Sequence, residues 1–430
     1  MGGKEIMKSS VSKLLAVTLA AGMLAGCGSS SAAASTAASE APAETTTAAA
    51  PADLDTSSYT IRIYSNSNST ERTTWLIDKA KEAGFNISID DNSVISGDVA
   101  AVEAANNNKD GDLIFGLNET RWGQITRGEY ENLSLVDWTP SWADTVGDYA
   151  YPGKAYGLVV QNILMLCRTD DLGTNGEVPH YAHWADMVND KYSWYRQNKV
   201  GGTTNSNINA AMLYSFVDPE SPAGGISVDG WKALWKFCAD GTFSGDDDYK
   251  YGFTPLNKGD VQITEFYSSA LYGQIDAAAE TSDNPITPDN WALVDIDDGT
   301  YYIAEYVGIL DKADRTDEQT EIVKAFADWF GSAEVQAEWA ENFDTFPCNS
   351  EAASMVYGDD IPEIYTLPNF ALNKVEGTEM TYAEYVGAHV SEWTNIMTNL
   401  GFYWKDASEA AAEPDWDNLD WATLTQKAAE

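Results

Sequence analysis

The chain has 430 residues, 44% apolar and 12% aromatic, with 25 basic against 67 acidic residues and a formal charge of −42. The length exceeds one small domain and the apolar content excludes disorder for the chain as a whole, so two lobes with sizeable cores are expected. The acidity argues against nucleic acid and anionic lipid surfaces as partners; Cys167, Cys238 and Cys348 form no CxxC pair and no dense disulfide framework.

Lys4, Lys8 and Lys13 precede an apolar run from Leu14 to Ala25. That run is too short to span a bilayer, which takes about 20 residues, but it suits an export signal. Leu24-Ala25-Gly26-Cys27 then resembles the bacterial lipobox, whose cysteine is lipidated and becomes the new N-terminus. Residues 1–27 are thus read as a lipoprotein signal ending at Cys27, with the mature chain held to the extracytoplasmic face of the cell membrane. The leader contains three Lys and Glu5, so 22 basic residues face 66 acidic ones beyond Cys27. Residues 28–57 are rich in Ser, Ala, Thr, Pro and Glu and cannot bury enough apolar surface to offset the entropy of ordering. They are read as a tether with a mean reach on the order of 30 Å.

Tyr59–Tyr64 alternates as a strand, and Ser65 to Ser69 follow as a polar loop. Leu76, Ile77, Ala80 and Ala83 fall at helical spacing, Phe85–Ile89 reads as a strand, residues 97–106 as a helix, and 112–116 as a buried strand. Strand, helix, strand, helix, strand implies a parallel sheet, with ligands beyond the carboxyl ends of its strands. The apolar run AYGLVVQNILMLCRT, residues 155–169, is long enough to leave one lobe and enter another, broken only at Gln161-Asn162. Trp184–Tyr195 reads as helical, and residues 201–207 as a hydroxyl- and amide-rich loop before a helix whose N-terminus suits an anionic or hydroxylated group. Trp231, Leu234 and Trp235 mark another helix, Val261–Phe266 a strand, and Tyr301–Leu310 a second crossing. Thr316 with Gln319 forms a capping box, followed by an apolar face through Ile322, Val323, Phe326, Trp329 and Phe330; Ser332 begins the next helix, and the tail beyond Met380 is helical.

Five stretches in this order resemble the extracellular solute-binding proteins of bacterial ABC importers: IRIYSNSN, GDLIFGLNETRWGQITRGEYENL, HWADMVNDKYSW, NKGDVQITEFYSSALYGQ and ADWFGSAEVQAEWAENFDTFPCN. The pattern is closest to the ferric-iron, thiamine, phosphonate and polyamine group. The resemblance implies an α/β, two-lobe periplasmic-binding-protein-like fold, each lobe a mainly parallel sheet flanked by helices, joined by two crossing strands. It places lobe 1 at residues 58–161 and 304–375, lobe 2 at 162–303 and a helical segment at 376–430. It implies a monomer that closes on a small-molecule solute, presents it to a membrane ABC permease, and uses no cofactor. Closure requires a solute that binds the closed state better than the open one.

The strand-end loops nominate Asn66, Asn68, Asn118, Glu119, Asn162, Thr203, Thr204, Asn205, Tyr267 and Ser268 as ligand-binding residues. Glu119 and Glu305, beside Trp122, Trp291 or Tyr306, suit a cationic solute through charge and ring stacking. Ferric-iron relatives carry two adjacent tyrosines where this chain has Phe266-Tyr267-Ser268, which demotes iron; a sugar remains an alternative. A secreted hydrolase is the rival from another class. It finds three histidines and no HExxH, GxSxG or phosphate-cradling glycine loop, and His180-x-x-His183 lacks a third ligand, so no metal site is expected.

Overall fold

The computed structural model describes residues 54–67, 69–89, 98–196, 203–241, 253–280, 282–402 and 412–427. Cys27, the tether up to residue 53 and Asn68 lie outside them.

The chain opens with β1 (Thr60–Ser65), α1 (Thr70–Glu82), β2 (Asn86–Ile89), α2 (Asp98–Asn108), β3 (Leu113–Leu117) and α3 (Glu119–Thr126). β1 pairs in parallel with β2 and β3, as the alternation of strand and helix requires. Ser69 caps α1 by accepting the Arg72 N–H, and the helix buries Leu76 and Ala80 against the sheet. Short β4 (Ala150–Tyr151) precedes β5 (Ala155–Arg168), the long apolar strand.

The second lobe holds β6 (His180–Tyr181), β7 (Trp194–Tyr195), α4 (Thr203–Leu213), α5 (Val228–Asp240), α6 (Phe253–Lys258), β8 (Ile263–Tyr267), α7 (Leu271–Ala279), β9 (Trp291–Leu293) and β10 (Asp295–Ile296). The chain returns through β11 (Tyr302–Ile309) to α8 (Asp317–Phe330), α9 (Ala333–Phe343), β12 (Phe346–Pro347) and α10 (Ser350–Tyr357), and ends with α11 (Tyr382–Asn399) and α12 (Trp421–Leu424). The sheet order is β2-β1-β3-β11-β5-β8-β7.

β5 and β11 are the crossings. The first half of β5, Ala155 to Asn162, pairs antiparallel with β11, and the second half, Ile163 to Cys167, pairs with β8. One continuous strand therefore belongs to both lobes, and its polar break falls where the partner changes. One apolar cluster packs around β1, β3 and α8; two others pack around β8 and around α5 with α11. Trp231, Leu234, Ile322, Val323 and Phe326 are fully buried, each burial stabilising by roughly 1.5–3 kcal/mol. The Thr316–Gln319 capping box forms as expected.

One sequence expectation shifts. Trp184–Tyr195 is a 3₁₀ turn at Trp184–Asn189 followed by β7, because pairing of Trp194 with Ile263 overrides local helical preference. Residues 364–375, assigned by resemblance to the first lobe, contribute Ile364, Phe370, Ala371 and Val375 to the clusters around β8 and α11. Cys167, Cys238 and Cys348 are buried free thiols, the packing role expected of them. Among the described residues no helix is long and apolar enough to cross a membrane.

Candidate functional site

The loop after β1 lies across the end of β3 because Gly116 has no side chain there. Its φ is +82°, in the left-handed region, and an added Cβ would sit 2.6 Å from Asn66 Oδ1 and 2.7 Å from Ser67 Cβ. The registers of β11 against β3 and β5 both slip around Glu305 and Tyr306, a bulge of the kind that re-aims side chains.

At that bulge the two lobes meet in a chain of polar contacts. Ser67 Oγ, from the first lobe, donates to Glu305 Oε2 at 2.5 Å. Gln161 Nε2, from β5, donates to Glu305 Oε1, and Ser269 Oγ, from the turn after β8, donates to Gln161 Oε1 at 2.7 Å. Arg72 Nη1 donates to Ser67 Oγ at 3.0 Å. Both crossing strands and a loop from each lobe thus form one floor. Burial pushes the Glu305 carboxyl up, opposed by the Arg72 charge and by the bonds from Ser67 and Gln161.

Glu119 lies across β11 in different surroundings. Its Oε1 accepts the Ala304 N–H at 2.7 Å and the Tyr306 hydroxyl at 3.4 Å, and Tyr151 donates to its carbonyl at 3.0 Å. Burial pushes its carboxyl up to about 7, with the bonds from the Ala304 N–H and the Tyr306 hydroxyl pulling the other way. The same burial raises the phenols of Tyr149 and Tyr151. This region ties α3 to β11.

Of the nominated residues, Glu305 lies in the floor, Asn66 stands next to Ser67 with its Oδ1 buried over Gly116 and unpartnered, and Ser268 borders the floor by accepting the Asn162 backbone N–H at 3.1 Å. Asn162 turns to the opposite face of β5 from Gln161, donating to the Ile364 carbonyl, and its buried Oδ1 has no partner. Asn118 is spent capping α3, its Oδ1 accepting the Arg121 N–H. The expectation that Trp122 stacks on a solute gives way to packing: it is wholly buried, and a Cβ on Gly308 would come within 2.4 Å of its ring. Trp291 pairs with Arg168 at the far end of β5, seven residues and about 23 Å from Gln161. Distance removes it from the floor. Thr203, Thr204 and Asn205 form the first turn of α4 and Tyr267 ends β8; their side chains lie outside the described residues, as does Asn68.

Sequence reasoning missed Ser67, Arg72, Gln161 and Ser269 as contributors. Gln161 had a signal: of two adjacent polar residues in a strand, one must face each side, and only pairing with β11 shows which side is the floor. His180 and His183 diverge to separate partners, Asp295 at 2.9 Å and Asp298 at 3.1 Å. No group of three or more metal-ligating His, Cys, Asp or Glu occurs among the described residues.

Residues 75–371 match the family described as bacterial extracellular solute-binding protein. The chain is similar to a probable ABC transporter periplasmic-binding protein of Sinorhizobium fredii, with 28% identity over 310 residues, 71% of this chain and 77% of that protein. In structure it resembles the Pasteurella haemolytica apo ferric ion-binding protein A, at TM-score 0.57 and 13% identity over 80% of this chain and 98% of that one. It also resembles a Trichodesmium protein in complex with iron and citrate ligands, at TM-score 0.55 and 12% identity over 80% of this chain and all of that one. At such identities the structural likeness speaks for the fold alone: two α/β lobes around a cleft.

Proposed function

We propose that this chain, which belongs to the bacterial extracellular solute-binding protein family, is the receptor of an ABC importer that captures a small polar solute between its lobes and hands it to the permease. The observation that carries this reading is the polar floor itself. Ser67, Glu305, Gln161 and Ser269 join loops of both lobes through the two crossing strands, so a solute that contacts these groups biases the angle between the lobes. Nothing in that arrangement calls for a chemical step, and the solute is returned intact.

Asn66, Ser268 and Glu305, with Ser67, Gln161 and Ser269, form the binding floor in this reading; the first turn of α4 and Tyr267 supply the second-lobe wall. The mature protein is a monomer anchored through lipid on Cys27 at the extracytoplasmic face, with residues 28–57 as its leash. A receptor held within tens of ångströms of its permease meets it at high effective concentration.

A thermal-shift panel of phosphonates, carboxylates, polyamines, thiamine, short sugars and ferric citrate tests the reading. A solute at about 100 times its Kd adds roughly 2.7 kcal/mol, and small-angle scattering with the same solute should show compaction. Recovery of a chemically altered solute would instead favour a hydrolase, and a coloured, stabilised ferric complex would assign iron. Incorporation of labelled fatty acid, lost in Cys27→Ser, tests the anchor.

A further inference from the structure

Arg72 is out of place by the usual rules of helix construction. It stands in the first turn of α1, where the helix dipole disfavours a cation. The chain carries 67 acidic residues, and Arg62, Arg127, Arg168 and Arg315 each have a carboxylate within ion-pair distance. Arg72 has none among the described residues. Instead Nη1 is held by Ser67, donating to its Oγ at 3.0 Å and to its carbonyl at 3.4 Å. The guanidinium also lies over two rings of α9, 5.7 Å from the centre of Trp339 and 5.6 Å from that of Phe343. One edge of the fork is therefore fixed, while Nε and Nη2 make no hydrogen bond to a described residue.

Two further observations point the same way. Trp339 is 2% exposed, yet its indole Nε1–H, on the ring beneath the guanidinium, is buried without an acceptor. Unpaired buried donors are rare and call for an explanation. Ser67 also stands between Arg72 and the one acid of the floor, accepting from the guanidinium while donating to Glu305. The hydroxyl occupies the place a direct ion pair would take, and leaves the outer edge of the fork for another partner.

We infer that Arg72 is the anchor for an oxyanion group of the solute, a carboxylate or a phosphoryl group, to which Nε–H and Nη2–H donate bidentately at the first-lobe wall of the cleft. The inference rests on the receptor reading and narrows it: the solute carries a negative group, with Glu305 serving the hinge. A planar fork held on one edge and backed by aromatic rings loses little freedom on binding, which is why arginine suits such a site better than lysine.

Calorimetric titration of the full chain with citrate, methylphosphonate and inorganic phosphate, against putrescine and thiamine, tests it. At least one oxyanion probe should bind, citrate marking a carboxylate site and the other two a phosphoryl site. Arg72→Gln should weaken that probe by at least about tenfold and Arg72→Lys by less, because the first removes both charge-assisted donors and the second keeps the charge without the fork. The ligand-free melting temperature of Arg72→Gln should stay near that of the wild type; if Arg72→Gln does not fold, Arg72→Lys carries the comparison. Binding of putrescine or thiamine with an affinity unchanged by Arg72→Gln would overturn the inference and leave the receptor reading standing. Absence of binding by all three oxyanions at millimolar concentration would likewise overturn it, and silence of the wider solute panel would count against both.

Discussion

Glu119 and Glu305 are both buried acids beside β11, and their surroundings make them different devices. Glu305 has one oxygen on Ser67 of the first lobe and the other on Gln161, which continues to Ser269 of the second. Glu119 is bound to a backbone N–H and a tyrosine, with no basic residue among the influences that set its acidity. The first acid links groups of both lobes, and the second pins a helix to a strand within one lobe. Residue type and burial do not separate these roles; the identity of the partners, and the lobes they come from, do.

The comparison can be broken by substitution. The largest effect is expected for Glu305→Ala, which strands Ser67 and Gln161 in a buried site: about 2–4 kcal/mol lost in denaturant unfolding, together with solute affinity. If stability falls while solute binding is unchanged, Glu305 is no more a hinge group than Glu119.

For Glu119 the expected signature is pH dependence. Its folded-state value of about 7 lies above the ordinary 4.5, so the folded protein keeps a proton that the unfolded chain releases. Its contribution to stability is full below pH 4.5, declines as pH rises towards 7, and is gone above it. Glu119→Gln should remove about 2–3 kcal/mol of that decline, so the variant gains on the wild type between pH 5 and 8. A wild-type-minus-variant difference that is flat over this range would show that Glu119 is not held proton-rich. Solute affinity at a fixed pH should change little.

The smallest effect belongs to Tyr151→Phe, which deletes one hydroxyl donated to the Glu119 carbonyl. A loss of about 1 kcal/mol is expected, with no change in scattering with or without solute. A change in compaction would mean that the tyrosine-walled region also reports on the lobes.

The fold was legible because its signals are local or cumulative. Alternation in Tyr59–Tyr64, the apolar run of β5, and the Thr316–Gln319 box each impose an element regardless of what surrounds them. The candidate site was legible only as a neighbourhood. Asn66 and Ser268 were nominated because strand-end loops collect at a cleft, but the same rule nominated Asn118, a helix cap; the search for charge beside rings named Glu305 together with Trp122, a core side chain under Gly308. Arg72 had no signal, since one arginine among helix residues looks like solvated surface.

By itself the sequence determined that the chain is acidic and α/β, with two apolar strands long enough to cross between lobes, because composition and periodicity act over many residues and tolerate local error. Only the tertiary structure decided which polar groups face one another. Ser67 and Glu305 lie 238 residues apart and Gln161 and Glu305 lie 144 apart. Their contact depends on strand register and a bulge, and a one-residue slip in either would send the side chains to the opposite face.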